Sequence, residues 1–149
     1  MNRSIYIIKP EAMPFREEIR KMICLAGLKI IRTTEAIIPI DVLDKLYTDC
    51  SDELRRATQL FMGCEPCEIG EVIGENAVEK LLSICGHVTD PSQCAAQTIR
   101  NRFGVRQVEH FENALYFKNA IHRPKNAEEA QRDLNALSKI FNSQKAVSP

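Results

Sequence analysis

His122 is the residue of this chain best placed for covalent chemistry. It follows Asn119-Ala120-Ile121, where the apolar run is too short to be more than the end of a strand or turn. It precedes Asn126, and Glu129 three residues further on completes a helix-start pattern with that asparagine as the cap. Ala130, Leu134, Leu137 and Phe141 then recur at helical spacing, giving one face of an amphipathic helix about four turns long. His122 therefore stands just before a helix N-terminus, where free N–H groups and the dipole favour an anion. Imidazole in such a place can take a phosphoryl group, being a nucleophile and basic near neutral pH. Taken alone, the same residues describe a surface histidine in a loop, which is the commoner case.

The other candidate for chemistry, Cys64-Glu65-Pro66-Cys67, is a single C-x-x-C with no second pair at zinc-site spacing, so a metal site is not expected. The six cysteines, Cys24, Cys50, Cys64, Cys67, Cys85 and Cys94, could pair in a secreted chain. The N-terminus lacks the hydrophobic region of a signal peptide, and the expectation is a cytoplasmic protein with reduced thiols. No apolar run approaches membrane-spanning length. Twenty basic and twenty acidic residues cancel, which suggests neither a nucleic-acid groove nor an anionic membrane as partner. A short basic stretch, Arg100, Arg102, Arg106 and Lys118, is too little to argue for nucleic acid.

The elements that must position these residues follow from periodicity. Ser4–Ile8 reads as a buried strand ended by Lys9-Pro10, so Lys9 lies at a strand's carboxyl end. Phe15, Ile19, Met22, Ile23 and Ala26 predict a helix closed by Gly27, and Leu28–Ile38 predicts a second strand broken by Pro39. Asp41 and Ser51 open two short helices, the first carrying Leu46 and Tyr47, the second Leu54, Ala57, Leu60 and Phe61. Cys67–Ile73 is a weakly alternating strand interrupted by a glycine. Asn76 with Glu79 predicts another capped helix, striped by Val78, Leu81, Leu82 and Cys85 and stopped by Gly86. Beyond it come an irregular stretch with a helical turn near Thr98–Arg102, a strand at Ala114–Phe117, and the His122 helix. Residues 1–141 make one domain, and 142–149 a polar tail. This order suits an α+β fold, a ferredoxin-like βαββαβ antiparallel sheet with helices on one face.

Several short segments, in order, carry a resemblance. Ile7-Ile-Lys-Pro-Glu-Ala12, Gly74-Glu-Asn-Ala-Val78, Thr89-Asp-Pro91, Thr98-Ile-Arg100 with Phe103-Gly104, and Asn119-Ala-Ile-His122 followed by Ala127-Glu-Glu-Ala-Gln-Arg-Asp133 resemble the nucleoside diphosphate kinases. The resemblance spans residues 4–141. It implies a ping-pong phosphotransferase in which His122 takes the γ-phosphoryl of a nucleoside triphosphate and passes it to a diphosphate. Mg2+ would accompany the phosphates, and the chain would assemble into a homo-oligomer, a dimer-based hexamer or tetramer. Position by position, Lys9 would bind the phosphate being transferred, Tyr47 would support the pocket, and Thr89 and Arg100 would hold the phosphates. Asn119 would contact the sugar hydroxyl, and Asp133 would orient the histidine. Such a set suits phosphoryl transfer, which needs an aligned nucleophile and cations around the phosphate oxygens.

The chain also departs from the family's pattern. Aligning Gly86 and Thr89 puts Leu82 where the family usually has a phosphate-binding arginine, and the stripe around Leu82 places it in the core. The family's base-stacking aromatic is missing, with Leu54 the nearest apolar replacement. Arg123-Pro124-Lys125 replaces the usual Gly-Ser-Asp after the histidine, removing a hydroxyl and adding two charges. Arg123 or Lys125 could supply a replacement cation. Extra residues lie between Gly104 and Asn119, and an alternative register would set Tyr116, which is no equivalent nucleophile, at the catalytic position; the match after His122 argues against that register. Two readings follow: an active kinase with an altered pocket, or a nucleotide-binding or scaffold protein on the same fold that has lost efficient transfer.

Overall fold

In the computed structural model, which describes residues 2–147, the chain folds around an antiparallel four-stranded sheet. The strands are β1 (Asn2–Ile8), β2 (Lys29–Ala36), β3 (Cys67–Gly74) and the two-residue β6 (Ile121–His122), in the order β2-β3-β1-β6. That is the ferredoxin-like arrangement the element order predicts. Because successive side chains of a strand point to opposite faces, β1 feeds two cores. Tyr6 and Ile8 meet α1 (Arg16–Leu25) and α4 (Ala77–Cys85) through Ile19, Ile23, Ala77, Leu81 and Cys85. Ile5 and Ile7 meet α2 (Ile40–Leu46) and α6 (Ala127–Val147) through Val42, Leu43, Leu46, Leu137 and Phe141. All four β1 side chains are fully buried, each worth roughly 1.5–3 kcal/mol where it is aliphatic.

The helices of the βαββαβ unit, α1 and α4, thus share one face as expected. The expectation of helices on that face alone is corrected: α2 and α6 cover the other, because Ile5, Ile7 and Ile69 would otherwise leave it apolar and bare.

The fourth strand is corrected as well. Ala114–Phe117 does not enter the sheet. Its residues Ala114–Tyr116 form β5, which pairs with β4 (Glu109–Phe111) in a separate hairpin, while β6 completes the sheet by pairing His122 with Ile7. The hairpin docks on α3 (Asp52–Met62): Phe61 and Tyr116 stack with ring centroids 5.2 Å apart, Arg56 pairs with Glu112, and Glu53 accepts from the Asn113 amide at 2.8 Å.

Smaller differences have local causes. Ser51 caps α3 as expected, accepting from Leu54 at 3.1 Å, whereas α2 starts at Ile40 with Pro39 before it rather than at Asp41. Asn76 stands before α4 but sits in the left-handed region at φ 52° and makes no side-chain cap; its own amide is taken by Asn2 Oδ1 at 3.1 Å. Helix α6 continues past Phe141 to Val147, so the tail expected from residue 142 begins as helix, and 148–149 lie outside the described residues. All six cysteines are free. Among the described residues no helix is long and apolar enough to cross a membrane.

Candidate active site

Two neighbouring strand ends bring the first pair of candidates together. Lys9 leaves the carboxyl end of β1, and its amide donates to the Ala120 carbonyl at 2.8 Å; one residue beyond Ala120, β6 begins. Ala120 is held at φ 76°, a conformation an alanine adopts at a cost of about 1–2 kcal/mol. Its amide donates to Glu11 Oε2 at 3.0 Å, so the segment after Lys9 fixes the approach to His122 from both sides.

His122 is only 8% exposed, not the surface residue its loop context allowed. Its Nε2 lies 2.9 Å from Asp133 Oδ2, and Asp133, in the second turn of α6, is fully buried. The other carboxylate oxygen accepts from Arg132 Nε at 3.1 Å. Arg132 in turn donates to the Leu46 carbonyl and the Thr48 hydroxyl, tying α6 to the end of α2. A carboxylate acceptor at Nε2 fixes the proton there in the neutral ring and leaves the Nδ1 lone pair free. Tyr47 packs edge-on against the imidazole, centroids 5.1 Å apart, and burial pushes its phenol well above the usual range. Burial also lowers the His122 pKa, opposed by Asp133, so the ring is neutral at pH 7.

A cleft of about 370 Å³ opens beside this dyad, lined by Lys9, Tyr47, Thr89, Arg100, Asn119 and His122. The structure therefore gathers every candidate in one place, with Asp133 directly behind the histidine. Thr98 accepts from the Asn101 amide and starts the short α5 (Ile99–Phe103) that carries Arg100. The guanidinium of Arg100 donates to the carbonyls of Ile121 and Val88. Asn119 Nδ2 donates to the Thr89 carbonyl at 3.0 Å, while its Oδ1 is buried without a partner among the described residues. Burial lowers the Lys9 pKa to about 8, and Arg100 and Arg123 add to the effect.

Beyond the candidates, the cleft is lined by residues that carried less signal in the sequence or for which it left alternatives open. Tyr116, weighed only as a displaced nucleophile, lies with its hydroxyl 3.5 Å from Lys9 Nζ. Arg123 turns into the cleft and Lys125 stays at its exposed rim. Arg132 carried no signal beyond preceding Asp133. Leu82, expected in the core, is half-buried, belongs to neither core cluster and does not line the cleft. Leu54, the nearest apolar replacement for the missing aromatic, and Thr58 of α3 also line the cleft. Among the described residues no three His, Cys, Asp or Glu side chains group as a metal site, and the carboxylates lining the cleft are Asp49 and Glu129.

The family profile described as nucleoside diphosphate kinase matches residues 2–145. The chain belongs to the nucleoside diphosphate kinase family. Solved structures agree in fold. A nucleoside diphosphate kinase family protein from Babesia bovis is 26% identical at TM-score 0.77, over 91% of this chain and 87% of that one. The Borrelia burgdorferi nucleoside diphosphate kinase, solved as a transition-state mimic with vanadate and ADP, is 22% identical at TM-score 0.77, over 91% and 85%. The Aquifex aeolicus nucleoside diphosphate kinase is 23% identical at TM-score 0.75, over 91% and 94%. No curated protein matches the chain in sequence. Within the nucleoside diphosphate kinase family, a cleft that puts a neutral histidine beside Lys9 and Arg100 is suited to phosphate chemistry.

Proposed function

We propose that this chain is a nucleoside diphosphate kinase that works through a phosphohistidine at His122. The observation that supports the reading best is the bond from His122 Nε2 to a buried carboxylate, with Nδ1 left free in a cleft lined by cations. In the first half-reaction the Nδ1 lone pair attacks the γ-phosphorus of a nucleoside triphosphate. The N–P bond forms as the bond to the bridging oxygen breaks, and the diphosphate leaves with that electron pair. The ring becomes cationic with its Nε2 proton in place, and the Asp133 carboxylate stabilises that charge. In the second half-reaction a terminal oxygen of another diphosphate attacks the same phosphorus, and the N–P electrons return to the ring. No proton need leave Nε2 in either direction.

The other residues take roles that match their surroundings. Lys9 and Arg100 neutralise the phosphate oxygens, Thr89 stands beside them, and Asn119 offers its unpartnered Oδ1 to a sugar hydroxyl. Tyr47 supports the imidazole. Magnesium fits as an ion carried by the phosphates, with Asp49 and Glu129 the side chains that would share it; when bound it neutralises phosphate charge. The homo-oligomer typical of the family belongs to the same reading, and β2, at one margin of the sheet, carries the half-exposed Ile31.

Incubation with γ-labelled ATP tests the proposal. The wild type should acquire acid-labile, alkali-stable label and His122→Ala none; equal labelling of the two would remove His122 from the mechanism. Leu82, with no α4 cation lining the cleft, favours a second reading as a nucleotide-binding protein with weakened transfer. Nucleotide bound without label in the wild type would select it.

A further inference from the structure

We propose that Arg123 binds the phosphate chain, supplying from the segment after the nucleophile a cation that no residue of α4 brings to the cleft. The inference rests on the phosphotransfer reading above. Arg100 and Arg123 are 6% and 5% exposed and both line the cleft, yet neither guanidinium has a carboxylate partner among the described residues. Their protein partners are main-chain carbonyls only: Ile121 and Val88 for Arg100, Gly86 for Arg123 at 3.1 and 2.7 Å. Carbonyl dipoles orient a guanidinium but do not cancel its charge. Two such groups buried side by side are an incomplete arrangement, completed by an anion.

Gly86 is what brings the pair together. It ends α4 at φ +120°, and a Cβ there would lie 2.8 Å from Cys94 Sγ and 3.4 Å from Arg100 Cβ. Arg100 therefore presses against one side of this residue while Arg123 grips its carbonyl. Repulsion from Arg100 adds to burial in lowering the Arg123 pKa to about 10, so the side chain stays charged at pH 7. Two of the five guanidinium N–H groups of Arg123 go to Gly86, and the other three have no protein partner among the described residues. Lys125, the other added charge, is exposed at the rim. The geometry thus separates the two replacements that sequence left equivalent.

The test compares AMP, ADP and the non-hydrolysable β,γ-imido analogue of ATP by calorimetry on wild type, Arg123→Met and Arg123→Lys, with thermal melting to confirm folding. A phosphate-binding arginine predicts a loss in Arg123→Met that grows with phosphate number, within about twofold for AMP and about tenfold or more for the triphosphate. Arg123→Lys should recover part of it. Equal losses for all three nucleotides, no loss at all, or failure of both variants to fold would show that Arg123 only clamps Gly86, and would overturn the inference. The functional reading fails separately, if the wild type takes no label on His122 while the triphosphate analogue still depends on Arg123.

Discussion

A nucleophilic histidine must be neutral, and the cation that meets its phosphate must be charged; in this site both conditions are set by burial. Desolvation lowers the His122 pKa below its ordinary value and that of Lys9 to about 8. Acid below the histidine's lowered pKa protonates Nδ1 and removes the nucleophile, while alkali above about pH 8 discharges Lys9. The expected kcat/KM profile, which reports the free enzyme, is therefore a bell whose alkaline limb falls near pH 8. Arginine does not titrate in this range, so Lys9→Arg, even if slow, should lose the alkaline limb. A limb that persists unchanged in that variant would assign it to another group.

Among the elements, β3 shows how packing can require a residue that local pattern disfavours. Gly70 weakens the strand signal, yet it lies in the middle of β3, which pairs with both β1 and β2. A Cβ at Gly70 would come within 2.2 Å of the Tyr6 ring. That ring cannot easily withdraw, because its hydroxyl donates to the buried Glu68 at 2.7 Å and Arg20 holds the same carboxylate. Gly70→Ala should cost about 2–3 kcal/mol through overpacking, read as a fall in Tm of roughly 5–10 °C. The same substitution in a Tyr6→Leu background should cost less than half as much. Equal costs in the two backgrounds would show that backbone conformation, not the ring, demands the glycine. Since β3 supports β1, and β1 delivers Lys9, the glycine reaches the site through the register of the sheet.

For the whole molecule the cationic cleft is a liability until an anion fills it. Lys9 has a folded pKa near 8 against 10.5 for the free side chain, so between those values the unfolded chain holds more protons. Stability then rises with pH across that window, and below it the buried charge destabilises the fold by roughly 3 kcal/mol or slightly more. Lys9→Met, of similar length and uncharged, should be more stable than wild type at pH 7 by about 1–3 kcal/mol in urea unfolding while losing phosphotransfer. The difference should shrink toward zero as the pH rises past 10.5, above which Lys9 is neutral in both states. A variant that is less stable at pH 7 would mean that Lys9 is held by interactions that outweigh its desolvation.

What the sequence determined by itself was local. The β-branched run of β1, the serine cap of α3, the Thr98 turn carrying Arg100, and the Asn126 start of α6 each declare themselves within a few residues, because alternation and capping are short-range. Asn126 Oδ1 does accept from the Glu129 amide, at 2.8 Å. The same local reading was misled at Ala114–Phe117, whose strand propensity is real but is spent on a hairpin against α3, and at Asn76, which sits in the left-handed region and makes no side-chain cap, its amide donating to Asn2. Tertiary structure alone decided the parts of the site made by residues remote in the chain. His122 meets Asp133 through Nε2, Arg123 reaches back 37 positions to Gly86, and Tyr116 lies against Lys9 across 107. A motif can name a histidine and a carboxylate, but which ring nitrogen is held, and which arginine turns inward, depends on how two cores pack against opposite faces of one sheet.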